Sequence, residues 1–385
     1  MLPALTTDGL RLADVLASSL GAVRGEPNRL SLPPVESAVV VLVDGLGASM
    51  LKARAGHART LSAVLGPKSV IEVGFPTTTV ASLASLTTGV APGQHGLVGY
   101  TVYDPELDQA VNPLSGWDPR VDPATWQRMP TLFETAAAEG VDAVVVAPER
   151  YRDSPFTHAV LRGARYVPAA TMVERAEAAL AVLRAPGRHL VYVYISELDQ
   201  AAHGFGCDSV AWISALEAAD AAVATLLAGL GTRQGVIVTA DHGLLDVPQH
   251  AHVLLEDGPL LDGVRLIAGE PRCLQLHLEP GVDADEVVER WRASEGGRAW
   301  VATRAEAVEA GWFGSVHPDV LPRIECPTLL VATAVFPRPV DSVKALSERI
   351  PHAEFAVIES GHLAFYQTPE LVDALLQRFL KAHVR

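Results

Sequence analysis

Four short apolar runs rich in valine and isoleucine punctuate the chain: AVVVLV at 38–43, DAVVVA at 142–147, LVYVYI at 190–195 and GVIVTA at 235–240. None of them alternates with polar residues, so each predicts a strand covered on both faces. Between them lie stretches of helical period at 131–139, 171–184 and 208–229. Covered strands separated by helices imply an α/β fold, a mostly parallel central sheet with helices on both faces. Ligands of such sheets gather beyond the carboxyl ends of the strands.

Two regions break this rhythm. Residues 91–130 are rich in proline, glycine, aspartate and aromatics and read as a long ordered loop over the sheet edge, of a length that is often functional. Residues 245–323 read as a small inserted subregion with its own strand at 272–277 and helix at 283–294. The 385 residues are compatible with one large α/β unit, two domains being the rival count. The expected division is a main domain over 1–323, containing that insertion, and a strand-helix-strand-helix segment over 324–385. The sequence leaves the packing of the second segment open.

Composition narrows the function. With 49% hydrophobic and 19% charged residues, the chain has ample material for a core. A formal charge of −15 argues against a nucleic-acid polymer or an anionic membrane as partner. A small phosphorylated substrate stays open, because a bound divalent cation reverses the local sign of a site. Cys207, Cys273 and Cys326 lie far apart without CxxC spacing, which predicts free thiols in a reducing, cytoplasmic setting. No run of about 18 uninterrupted apolar residues is present, so no membrane span is expected. The first 20 residues lack the charge and apolar pattern of a signal peptide.

The strand ends carry the candidate chemistry. The first run leads directly into Asp44, the third into ELDQAAHG with Asp199 and His203 four residues apart, and the fourth into Asp241 and His242. Taken singly, Asp44 could cap a helix, Asp199 and His203 could face solvent, and Asp241 with His242 could be an acid/base or ion pair. Together they place oxygen and nitrogen donors at three strand ends of one sheet, a set that suits zinc or manganese better than magnesium alone. A further stretch, GFPTTTVASLASLTTGV at 74–90, sets three threonines before a helix-competent segment. A helix N-terminus favours an anion, and a threonine beside metal ions can serve as a nucleophile.

The set Asp44, FPTTT, GQHG, ELDQAAHGFG and TADHG, in that order, resembles the alkaline phosphatase superfamily, in its type I phosphodiesterase/nucleotide pyrophosphatase branch. The likeness spans roughly residues 35–323. It implies two divalent ions, zinc with manganese as the alternative, and metal-dependent hydrolysis of phosphodiester or pyrophosphate bonds. Asp44, Asp241 and His242 would hold one ion together with the nucleophile, and Asp199 and His203 the other. The family's Pro-Thr-x-Thr turn maps onto Pro76 to Thr79, which makes Thr79 the nucleophile, with Thr78 if the register is shifted by one.

Three departures qualify this likeness. Where nucleotide-cleaving relatives follow the nucleophile with a base-stacking aromatic, this chain has Val80. Where they carry a phosphoryl-binding asparagine, it has Tyr100, whose hydroxyl is the candidate replacement donor, packing being the alternative. Residues 324–385 resemble the carboxyl end of an α/β-hydrolase instead of the family's own ending, and His362 there is the candidate third ligand of the second ion. His317 and His352 are weaker candidates, and His95 reads as a turn anchor. No GxSxG elbow accompanies that tail, which disfavours a serine esterase. A metal-depleted, non-catalytic binding protein is the other alternative.

Overall fold

The computed structural model describes residues 2, 8–248, 251, 252, 255, 258–324, 332 and 333. Cys326, His352, His362 and nearly all of the expected C-terminal segment therefore lie outside the described residues. Those from 8 to 324 belong to one compact unit.

Helix α1 (Ala13–Arg24) precedes β1 (Ser37–Val43), and α2 (Ala48–Ala53), α3 (Arg59–Val64) and α4 (Thr79–Thr88) follow. Next come α5 (Pro92–His95), the hairpin β2 (Val102–Asp104) and β3 (Gln109–Val111), α6 (Pro123–Trp126) and α7 (Leu132–Ala138). The sheet resumes with β4 (Asp142–Ala147), α8 (Pro155–Val160), β5 (Arg165–Pro168), α9 (Met172–Leu183) and β6 (His189–Ile195). Helices α10 (Glu197–Phe205) and α11 (Val210–Gly229) lead to β7 (Gln234–Thr239). The hairpin β8 (Val264–Glu270) and β9 (Cys273–Leu278) and the helices α12 (Ala284–Glu295) and α13 (Arg304–Glu309) follow.

Five strands form the main sheet in the order β5-β4-β6-β1-β7, all parallel. All seven residues of β1 are buried, as its uninterrupted apolar run predicts. Val40 and Leu42 join a cluster with α1, α4 and α7, while Val39, Val41 and Val43 join one with α9 and α11 on the opposite face. Each such valine or leucine contributes about 1.5–3 kcal/mol by leaving water. Because β1 lies between β6 and β7 in parallel register, with Val43 opposite Ile195 and Leu42 opposite Thr239, the three strands end side by side. That alignment brings Asp44, Ser196 and Asp241 to one edge of the sheet.

The four expected strands and the helices at 131–139, 171–184 and 208–229 are present within a residue or two of the expected bounds. Capping boxes start α7 (Thr131 with Glu134) and α9 (Thr171 with Glu174). The region 91–130 is more structured than a loop, holding α5, α6 and the β2–β3 hairpin. Three-residue strands and one-turn helices are too short to leave a periodic signature. The strand expected at 272–277 pairs with β8, which the sequence reading lacked, and a small separate cluster packs Leu276, Leu278, Val287 and Trp291 around it. Among the described residues, α11 alone is long and apolar enough, on average, to cross a membrane. Its Trp212, Leu216, Ala219, Val223 and Leu226 are instead packed in the sheet's own cluster, and Asp220 accepts from the backbone of Thr60 and Leu61.

Candidate active site

Asp44 leaves β1 with its backbone N–H donated to Ile195 O, and then turns sharply through Gly45 and Gly47. Gly45 has φ 75°, and a Cβ there would stand 2.7 Å from Leu244. A Cβ on Gly47 would meet the Gly243 backbone at 2.8 Å. The two glycines thus let the turn after β1 lie directly on the Asp241–Leu244 turn after β7. This contact gathers Asp44, Asp241 and His242.

All three side chains are buried, and one ligand atom from each lies within 4.8 Å of the other two. His242 Nε2 stands 3.3 Å from Asp44 Oδ1, 3.5 Å from Asp241 Oδ2 and 3.1 Å from Thr79 Oγ1. Its Nδ1 lies 3.1 Å from Gly243 O, which only accepts, so in the neutral ring Nδ1 carries the proton and Nε2 offers its lone pair to the centre. Asp241 Oδ1 accepts from the Gly45 and His242 N–H groups at 3.1 and 3.0 Å. The remaining oxygens, Asp44 Oδ1 and Asp241 Oδ2, are buried without a hydrogen-bond donor. Two orphaned carboxylate oxygens facing an imidazole nitrogen fit a divalent cation, which would satisfy both at once.

The electrostatics tell the same story. Burial and the neighbouring Asp44 charge push the Asp241 carboxyl well above its ordinary range. Burial works against a charged His242, but Asp241, Asp44 and Asp199 outweigh it and raise the imidazole to about 10. Asp199 is raised by burial and again by Asp44.

Thr78 and Thr79 have different tasks. Thr78 is the N-cap of α4, its Oγ1 accepting from the Ala81 N–H at 3.3 Å. Thr79 is the first helical residue, and its hydroxyl faces the cluster. The structure therefore places Thr79 against Asp44, Asp241 and His242, and leaves Thr78 engaged with the helix backbone.

Asp199, in the first turn of α10, and His203, one turn later, approach to 3.4 Å. Asp199 shares a cavity wall with Asp44 and Thr79, whereas the His203 side chain is 76% exposed. Among the described residues no third His, Cys, Asp or Glu joins this pair. His317 is remote from it, its ring bonded to Arg128 at 2.9 Å and to the Asp319 N–H. His95 is a buried anchor, contacting Ser85 Oγ through Nε2 and accepting the Leu97 N–H at Nδ1, and burial lowers it to about 3.

Tyr100 is not brought to the cavity. It is 42% exposed, and its neighbour Thr101 is paired with Gly269 in both directions, which ties this backbone to the β8–β9 hairpin. Val80 is wholly buried in the core and offers no stacking face.

The sequence reading missed the tyrosines of β6. Tyr192 and Tyr194 alternate along LVYVYI and so share a face, and Tyr194 OH donates to Asp44 Oδ2 at 2.5 Å. That bond orients Asp44 and leaves its other oxygen for the centre. Tyr194→Phe is expected to weaken zinc binding about 10- to 100-fold while the fold persists, as read by chelator competition. Unchanged affinity would mean that Asp44 is oriented without the phenol.

The profile of the type I phosphodiesterase/nucleotide pyrophosphatase family matches residues 38–334. The chain belongs to that family. It is 27% identical over 178 residues to ectonucleotide pyrophosphatase/phosphodiesterase family member 3 of Mus musculus, covering 44% of this chain and 20% of the relative. It is 26% identical over 205 residues to venom phosphodiesterase 2 of Crotalus adamanteus, covering 51% and 24%. The matches thus span a fifth to a quarter of these relatives. The fold is similar to murine ectonucleotide pyrophosphatase/phosphodiesterase 5, an inactive threonine-to-alanine variant in complex with AMP (TM-score 0.57, 19% identity, 77% and 78% of the two chains). It is equally similar to phosphonoacetate hydrolase of Sinorhizobium meliloti 1021 in complex with phosphonoformate (TM-score 0.57, 20% identity, 77% and 80%).

Proposed function

We propose that this protein hydrolyses phosphate esters, with phosphodiester or pyrophosphate bonds preferred to monoesters, through Thr79 as nucleophile. The observation that carries the reading is the Thr79 hydroxyl, 3.1 Å from His242 Nε2 at the centre of a buried cluster with two orphaned carboxylate oxygens. Asp44, Asp241 and His242 would hold one divalent ion, zinc or manganese, and Asp199 with His203 a second. Bound there, such ions supply Lewis acidity that lowers the threonine pKa and offsets developing negative charge.

The residues of the chain do the rest. The Thr79 hydroxyl gives up its proton to solvent as Oγ1 attacks phosphorus, the bond to the leaving oxygen breaks and that oxygen takes a proton from solvent, and water later cleaves the phosphothreonine, restoring the hydroxyl. The α4 N-terminus, where Thr79 is the first helical residue, sets the positive end of the helix dipole beside the nucleophile. Tyr194 keeps Asp44 in place throughout. The inactive threonine variant of the murine relative and its AMP ligand support a threonine-dependent site for small phosphorylated substrates.

Chromogenic mono- and diesters assayed with and without added zinc or manganese test this. Metal-dependent turnover with a higher kcat/KM for the diester is expected, and failure to hydrolyse any ester in either metal would overturn it. A metal-depleted binding protein is the second reading, favoured by the missing third ligand beside Asp199 and His203 among the described residues. It predicts one ion per chain and no turnover.

A further inference from the structure

Beside Asp44, Thr79 and Asp199 the protein holds a cavity of about 210 Å³ also lined by Leu83, Phe156, Leu161 and the tyrosines 166, 192 and 194. Among the described residues its only charged wall groups are Asp44 and Asp199. Arg150 stacks on Tyr151 and bonds to Ser196, but it does not line the cavity.

Most of the wall hydroxyls are already committed. Tyr194 donates to Asp44, and Tyr166 donates to Pro148 O at 2.6 Å. Tyr151 OH accepts from Gln200 and Arg150, Ser154 donates to Thr157, and Thr157 donates to Tyr151 O. Tyr192 stands apart. It is fully buried, it lines the cavity, and its hydroxyl has no hydrogen-bond partner. Burial, followed by the charges of Asp241 and Asp44, raises its pKa well above 10, so it remains a donor. A buried donor without an acceptor is costly unless something entering the cavity supplies one.

We infer that this cavity takes the organic group of the phosphoester substrate, and that the group is compact, uncharged and equipped with a hydrogen-bond acceptor for Tyr192. The inference rests on the phosphoester-hydrolase reading and adds the substrate class to it. Size limits the group, because the cavity is smaller than the roughly 300–1,000 Å³ of ordinary small-molecule sites. Charge limits it as well, because an anionic substituent beyond reach of the ions at Asp44 and Asp199 would be buried with no Lys or Arg among the described walls.

Phosphonates, whose C–P bond is not an ester, test the pocket independently of turnover. Benzylphosphonate, 4-acetylbenzylphosphonate and 4-carboxybenzylphosphonate would be titrated calorimetrically into the full zinc-loaded chain and its Tyr192→Phe variant. The acetyl compound should bind tightest and the carboxylate on the order of 100-fold more weakly. Tyr192→Phe should cost the acetyl compound about 5- to 10-fold more than it costs the unsubstituted one. Equal affinity for the acetyl and carboxylate compounds, an equal effect of the mutation on the acetyl and unsubstituted ones, or no binding of any, would overturn the inference. Discrimination as expected in a protein that hydrolyses no ester would support the pocket and fault the reaction alone. A thermal melt of the variant, expected within a few degrees of wild type, separates lost recognition from lost fold.

Discussion

Replacing Thr79 by alanine is expected to lower phosphoesterase turnover on the order of 10⁴-fold or more, the scale seen when a covalent nucleophile is removed. The loss should fall on kcat, because the hydroxyl forms the bond that the reaction needs. The fold has little reason to respond. Thr79 is only partly buried, alanine is the best helix former, and the cap of α4 belongs to Thr78. The cluster loses one contact to His242 and keeps all three of its own ligands. Metal content by elemental analysis should therefore match wild type, and Thr79→Ser should recover part of the rate. Thr78→Ala makes the opposite trade, losing about 1 kcal/mol of capping while retaining turnover. An inactive Thr78→Ala beside an active Thr79→Ala would shift the nucleophile by one residue.

Why was this part of the site legible in the sequence while its neighbours were not? Asp44, Asp241 and His242 each follow an uninterrupted apolar run, and a parallel sheet puts the ends of such runs together. Asp199 and His203 needed only the i,i+4 geometry of one helix. Tyr192 and Tyr194 carry no such signal, because a tyrosine in a buried strand reads as another apolar residue until its hydroxyl is located. Tyr100 stands where nucleotide-cleaving relatives carry a phosphoryl-binding asparagine, a position that aligns in sequence without fixing where the side chain goes. What fixes it is the pairing of Thr101 with Gly269, 168 residues away, which no local pattern reveals. The short strands β2, β3 and β5 have three or four residues each, below the length at which alternation is recognisable. The legible features were those encoded within one strand end or one helical turn. The missed ones are too short to carry a pattern or depend on contacts between distant segments.

Chelation of divalent ions should abolish turnover, and zinc or manganese should restore it, but the sharper expectation concerns pH. In the ion-free protein His242 is raised from 6.5 to about 10, so between those values the folded chain holds a proton that the unfolded chain has released. The stability this proton confers is complete below 6.5 and is lost as pH rises toward 10. Asp241, also raised, runs in the same direction from the carboxylate range upward. A metal ion must displace these protons, so its affinity rises with pH. The two effects pull apart. Between pH 6.5 and about 9 the Tm of ion-free protein should fall relative to an Asp241→Asn reference, which removes the main charge raising His242. Over the same range the Tm increment produced by a fixed zinc concentration should widen, an ion at a thousandfold excess over its Kd contributing about 4 kcal/mol. Full turnover after exhaustive chelation, or a zinc increment that shrinks as pH rises, would show that the cluster holds its protons for their own sake and not in place of an ion.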